Sequence, residues 1–160
     1  MKTLYVLRHA KSDWNDASLT DFERPLNERG VHAARKMGAF MQQRGIVPDL
    51  IISSPARRAR ETAQIVKDAA GIAAEIRFEP RIYEAGVGDL MEIVSQVEND
   101  CEKLLIVGHN PGFEQLVEIL SGELQLMPTA ALAEIELPIE NWSETMRGGK
   151  LENLFKPKEI

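Results

Sequence analysis

The chain has 160 residues, 44% of them hydrophobic and 28% charged. That is the length and composition of one globular domain, 1–160, able to withdraw roughly 70% of its unfolded surface from water, and it is too apolar for a disordered segment. A net charge of −6 argues against a nucleic-acid binder, which needs a basic face to displace counterions from phosphates.

Thr3-Leu4-Tyr5-Val6-Leu7 reads as a buried strand that delivers Arg8 and His9 to a sheet edge. This run is too short for a signal-peptide core, and no stretch approaches membrane-spanning length, so a cytoplasmic protein with no membrane partner is expected. A polar loop, 11–24, leads to Asn27, a candidate N-cap for a helix that runs to Arg44 and ends at Gly45. Val31, Ala34, Met37, Phe40 and Met41 share one face of it. Leu50-Ile51-Ile52-Ser53 is a second apolar strand, and Ser54-Pro55 turns the chain into a helix from about Ala56 to Ala70, closed by Gly71.

Glu75 to Phe78 alternates as a strand, Pro80 breaks it, and a weaker helix covers Val87 to Val97. Leu104-Leu105-Ile106-Val107 is the most apolar strand, followed by Gly108-His109-Asn110-Pro111 and a helix ending near Ser121-Gly122. A strand from Ala131 to Leu137, a loop from Pro138 to Gly149 and a strand from Lys150 to Phe155 complete the chain as a hairpin-like pair at the sheet's edge. Alternating strands and helices imply a three-layer α/β/α sandwich, with a mostly parallel central sheet and an antiparallel edge. In such sheets ligands bind beyond the strands' carboxyl ends. Arg8, His9, Ser54 and His109 all follow such ends.

Cys101 is the only cysteine, so neither a disulfide nor a Cys-x-x-Cys metal or redox pair can form within the chain. It stands among acids that disfavour a thiolate and is read as incidental. Arg8-His9 alone would be commonplace, but a histidine held by a strand is fixed as a nucleophile requires. Arg57, Arg58 and Arg60 cluster at a helix N-terminus, where amide N–H groups also favour anions. Arg57 and Arg58 lie about 100° apart around a helix, so only one can face a pocket squarely. Gly108 is expected to let the backbone pass close to a ligand.

These segments, Leu7-Arg8-His9-Ala10, Ser54-Pro55-Ala56-Arg57-Arg58-Ala59-Arg60-Glu61-Thr62 and Val107-Gly108-His109-Asn110-Pro111, resemble the ordered motifs of the histidine phosphatase superfamily, with its phosphoglycerate mutase-like fold. Lys11-Ser12-Asp13-Trp14, the run from Asp21 to Gly30, and the absence of a cap insertion resemble its SixA-type branch of phosphohistidine phosphatases. The resemblance implies attack on phosphorus by His9, with Arg8, Arg58 and His109 binding the phosphoryl oxygens, and no metal or other cofactor. It also implies a phosphorylated substrate, in this branch a histidine-phosphorylated protein.

The physics accords with these roles. Phosphoryl transfer spreads charge over equatorial oxygens that fixed cations stabilise, and guanidinium groups beside His9 favour the neutral imidazole that attack requires. Glu84 occupies the stretch where many relatives carry a general acid, although an exposed loop glutamate accounts for it as simply. Arg24 either adds a cation to the pocket or pairs with Glu23 or Asp21. Arg57 and Arg60 are read as surface residues, and His32 is given no chemistry.

Three other readings compete. A metallohydrolase using His9, His109 and acids such as Asp13 or Glu84 is disfavoured, because the histidines form no close ligand pair and arginines repel a cation. A non-catalytic phosphate-binding module would use the same pocket without turnover. A sugar-phosphate phosphatase or mutase of the same superfamily would share its chemistry.

Overall fold

The computed structural model describes residues 1–160. Six strands form one sheet in the order β3-β2-β4-β1-β5-β6, with β1 at Lys2–Arg8, β2 at Leu50–Ser53, β3 at Ile76–Phe78, β4 at Lys103–Gly108, β5 at Leu132–Leu137 and β6 at Lys150–Phe155. The first four are mutually parallel, whereas β5 runs antiparallel to β1 and pairs with β6 as the expected antiparallel edge. Helices α1 (Glu28–Arg44) and α2 (Arg57–Ala70) cover one face, and α3 (Val87–Ser95) and α4 (Gly112–Ser121) the other.

The expected sandwich is therefore present. Its apolar strands alternate between two cores: Leu104 and Ile106 pack towards α3 and α4, Leu105 and Val107 towards α1 and α2. A strand buried on both faces has no polar side, which is why β4 reads as an unbroken apolar run.

Helix boundaries follow the caps. Asn27 accepts from the Gly30 amide at the start of α1, while Gly45 and Gly71 close α1 and α2 with φ of 68° and 67°, a conformation that disfavours side chains with a Cβ. Helix α3 stops at Ser95, two residues short of the expected Val97. The expected loop from Pro138 to Gly149 contains a 3-10 helix, Trp142–Arg147, and Trp142 is fully buried there, its Nε1 donating to the Cys101 carbonyl at 2.7 Å. Cys101 is itself buried, and that burial, reinforced by Asp49, pushes its thiol up to about 11.

Register places the site. Arg8 is opposite Gly108 and Ser53 is opposite Val107, so β1, β2 and β4 end at one level. The residues that follow, His9, Ser54 and His109, leave the sheet side by side.

Candidate active site

His9 extends the β1 ladder by one bond, its amide donating to the Gly108 carbonyl at 2.9 Å. On the other side the Ala130 amide donates to the carbonyls of both Arg8 and His9 at 3.1 Å. The backbone of the pair is thus gripped by β4 on one side and by the residue two before β5 on the other. The imidazole is 8% exposed, and its Nδ1 lies 2.7 Å from the Ala10 carbonyl. Only an N–H can make that bond, so Nδ1 carries the proton and Nε2 keeps its lone pair.

His109 stands next to it, with ring centroids 5.2 Å apart. Its Nε2 is 2.8 Å from Ser54 Oγ, which also accepts from the Ala56 amide. When the serine hydroxyl donates to Nε2, the ring's one proton lies on Nδ1, a buried atom with no protein partner. Burial, aided by Arg58 and Arg8 and opposed by the Ala10 bond, holds His9 at about 4. Burial and the neighbouring His9 hold His109 at about 3. Both rings are neutral at neutral pH, and removal from water, rather than the guanidinium groups invoked from the sequence, is the leading cause.

The arginines separate as the helical spacing requires. Arg58, in the first turn of α2, is 7% exposed and donates to the Asp21 carbonyl and carboxylate at 2.8 and 3.1 Å. Arg57 points outward and pairs with Glu61, and Arg60 is exposed. Arg8 donates through Nη1 to the Met127 carbonyl at 3.0 Å, and burial lowers its pKa. The Nε atoms of Arg8 and Arg58 are buried without partners.

Arg24 is also buried. It bonds to Ser12 Oγ and to Asp21, and Trp14 stacks on its guanidinium at 3.2 Å. The two readings of Arg24 are therefore compatible: it pairs with Asp21 and is still close enough to His9 to favour the neutral ring.

Glu84 is exposed on a turn with φ of 59°, beside Tyr83, and makes no hydrogen bond with Arg8, His9, Arg58 or His109. Gly108 differs from its expected role. A Cβ there would come within 2.7 Å of Ile82 and Phe113, so this glycine admits core packing rather than a ligand.

Four further residues complete the cluster. Asp21, in a 3-10 turn, bridges Arg24 and Arg58 and accepts from the Tyr83 hydroxyl at 2.7 Å. Those bonds, led by the phenol, hold its carboxyl at about 2, while burial and Asp21 hold the Tyr83 phenol up at about 12. Tyr83 also meets His109 edge to face at 5.7 Å. Ser54 orients His109. Thr62, fully buried, accepts from the Ala10 amide at 3.0 Å and donates to the Arg58 carbonyl at 2.7 Å.

Thr62 lies four residues beyond Arg58, on the same face of α2, and that spacing is the signal by which the sequence could have pointed to it. Its hydroxyl joins the loop after His9 to the turn that carries Arg58. Thr62→Val keeps the shape but leaves the buried Ala10 amide without an acceptor, at an expected cost of about 1–3 kcal/mol. A thermal melt should show Tm lower by several degrees, whereas an unchanged Tm would mean that the bond contributes nothing.

Comparison with known proteins identifies the family. An uncharacterized chloroplastic protein of Arabidopsis thaliana is 32% identical over 98% of this chain and 78% of its own length. The crystal structure of an assigned SixA phosphohistidine phosphatase from Agrobacterium tumefaciens superposes with a TM-score of 0.85 at 28% identity, covering 98% of each chain. A mycobacterial glucosyl-3-phosphoglycerate phosphatase shares the fold, with a TM-score of 0.75 at 17% identity over 98% of this chain and 99% of that one. The family model of the histidine phosphatase superfamily, branch 1, matches residues 4–114, across both strand-end histidines and the helix that carries Arg58, and the chain belongs to that superfamily.

Proposed function

We propose that the protein is a metal-independent phosphatase that works through a covalent phosphohistidine on His9 and removes phosphate from phosphohistidine in a protein. One observation carries this reading. The buried side-chain atoms without a partner include Arg8 Nε, Arg58 Nε and His109 Nδ1, the last a third N–H donor in the tautomer whose Nε2 accepts from Ser54, all on residues around a neutral histidine whose Nε2 is free. Three donors about one nucleophile match a phosphoryl group, whose three equatorial oxygens gain charge as it is transferred.

In the first step Nε2 of His9 attacks phosphorus, an N–P bond forms and the bond to the leaving group breaks. In the second, water attacks the phosphohistidine, the N–P bond breaks, and inorganic phosphate leaves with His9 restored. Arg8, Arg58 and His109 hold the oxygens throughout, and Arg24 adds positive potential from behind Asp21.

The protonation states bear on the leaving group. Asp21 is ionised and Tyr83 holds its proton tightly, so neither readily protonates a departing oxygen at neutral pH. Glu84, the acid suggested by the resemblance, stands exposed at the turn after Tyr83. A phosphohistidine whose other ring nitrogen has taken a proton from water releases a neutral imidazole, the conjugate base of an acid with a pKa of about 6.5, and this group leaves phosphorus with far less assistance than a sugar alkoxide. The site also reaches the surface, since the Asp21 side chain is 48% exposed, which suits a side chain presented by another protein. A small metabolite gains more from enclosure.

The test compares kcat/KM, in excess EDTA, for a phosphohistidine protein and for free sugar phosphates. The value for the protein should be at least about tenfold higher. The reverse ranking would make the substrate a metabolite, loss of turnover in EDTA would indicate a metallohydrolase, and binding without release of phosphate would indicate a recognition module.

A further inference from the structure

A groove of about 690 Å³ lies beside the site, lined by the cations Lys11, Arg29, Lys36, Lys156 and Lys158, with His32 among them and Glu159 as its one acid. In a chain of net charge −6 such a concentration of cations is unexpected. They come from three separate segments. Lys11 follows β1, while Arg29, His32 and Lys36 recur along one face of α1 at spacings of three and four residues. Lys156 and Lys158 belong to the turn after β6, which the Lys36 ammonium ties down through the Pro157 carbonyl at 2.7 Å. Gathering like charges costs free energy, and here the fold brings them together from distant parts of the chain.

Segments that line the groove run on into the phosphoryl pocket. Lys11 is two residues beyond His9, and its carbonyl accepts from the Asn27 amide, where α1 begins. The close approach is enforced by Gly30, where a Cβ would come within 2.1 Å of the Lys11 carbonyl oxygen. Pro128 and Thr129, which also line it, lie between Met127, whose carbonyl holds Arg8, and Ala130, whose amide holds the backbone of Arg8 and His9.

The placement of the charges selects the class of ligand. Lys11, Arg29, Lys36 and Lys158 are exposed, and none of the groove's cations is buried. Exposed cations hold a single small anion weakly, because water and salt screen each pair. Against an extended acidic surface the same charges act together and steer the encounter. No Phe, Tyr or Trp lines the groove, so it lacks the large stacking platforms that single-stranded nucleic acid uses.

We infer that this groove is the docking surface for an acidic face of the phosphorylated protein substrate, seated so that the phosphohistidine beside that face enters the pocket at His9. The inference rests on the reading of the substrate given above and adds how that substrate is chosen.

The test uses Arg29→Glu/Lys158→Glu, two exposed positions away from the reacting atoms. The substrates are an acidic histidine-containing protein domain phosphorylated with phosphoramidate, and phosphoramidate itself. For the protein, kcat/KM should fall about tenfold or more, through KM and with a weaker salt dependence than the wild type, because charge reversal at a rim acts on association. Its kcat, and turnover of phosphoramidate, should not change. Poly-glutamate should compete with the protein substrate of the wild-type enzyme and poly-uridylate should not.

Equal protein turnover by variant and wild type would overturn the docking surface while leaving the proposed activity intact. A parallel loss on phosphoramidate would assign the groove to the pocket itself, and equal competition by poly-uridylate would make it a general polyanion site. Self-association of the wild type, abolished in the variant, would make it a dimer interface. A wild-type enzyme that ignores the phosphoprotein but cleaves sugar phosphates would overturn both readings. Lys158→Glu alone supplies the same comparison should the double variant fold poorly.

Discussion

His9→Ala is expected to lower turnover by on the order of 10⁴-fold or more, because it removes the atom to which phosphorus is transferred and no neighbour can replace it. The nearest imidazole, His109, has its Nε2 engaged by Ser54. Quenching the wild type in alkali during turnover should trap one phosphoryl group, on His9, and the variant should trap none. The pH profile carries the same claim. The reactive form is the neutral ring, and burial holds the pKa of His9 at about 4. For an aryl phosphate, kcat/KM corrected for substrate ionisation should be level from neutrality to about pH 5 and then fall as His9 gains its proton. A fall centred near the ordinary imidazole value of about 6.5 would show that the reacting group is not the buried imidazole.

The parts of the site legible in the sequence were those fixed by short-range geometry. An apolar run ending in a polar residue marks a strand tip, so Arg8, His9 and His109 could be placed at one sheet edge. Helical spacing showed that Arg57 and Arg58 diverge, and the structure buries Arg58 and exposes Arg57.

What the sequence did not show depends on contacts between distant segments. Asp21 meets Arg58 across 37 residues and Tyr83 across 62, and both Asp21 and Tyr83 flank or occupy three-residue 3-10 turns too short to carry a periodicity. Ser54 was visible at its strand end, but its partner, His109, lies 55 residues on. The arginines do lower the His9 pKa as expected, but the larger cause, burial, was out of sight for the same reason. Neighbouring arginines can be seen in a motif, whereas burial depends on the closed fold. The cationic groove was hidden because its lysines and arginine belong to segments that look like ordinary solvated faces when taken singly.

Arg58→Ala is expected to reduce kcat by about 10²–10³-fold, the usual cost of losing a fixed donor to a developing anion. KM should change less, because the charge that Arg58 meets grows on the way to the transition state. Arg58→Lys should recover little of the loss. An ammonium retains the charge and has three N–H groups, but all three leave one nitrogen, so it cannot span the separate positions at which guanidinium Nη1 and Nη2 meet the Asp21 carbonyl and carboxylate while Nε stays open to the phosphoryl group.

Asp21 makes the experiment interpretable. Its carboxylate also bonds Arg24 and Tyr83, so the turn stays anchored when Arg58 is removed, and a melting curve should report a smaller change than the kinetics do. Asp21→Asn provides the complement: both arginines and the phenol remain, but the acceptor that holds Arg58 in place is weakened. Its kcat should fall less than that of Arg58→Ala, with Arg58→Ala/Asp21→Asn no worse than Arg58→Ala alone, because the aspartate acts through the arginine. Fully additive losses in the double variant would mean instead that Asp21 meets the substrate itself.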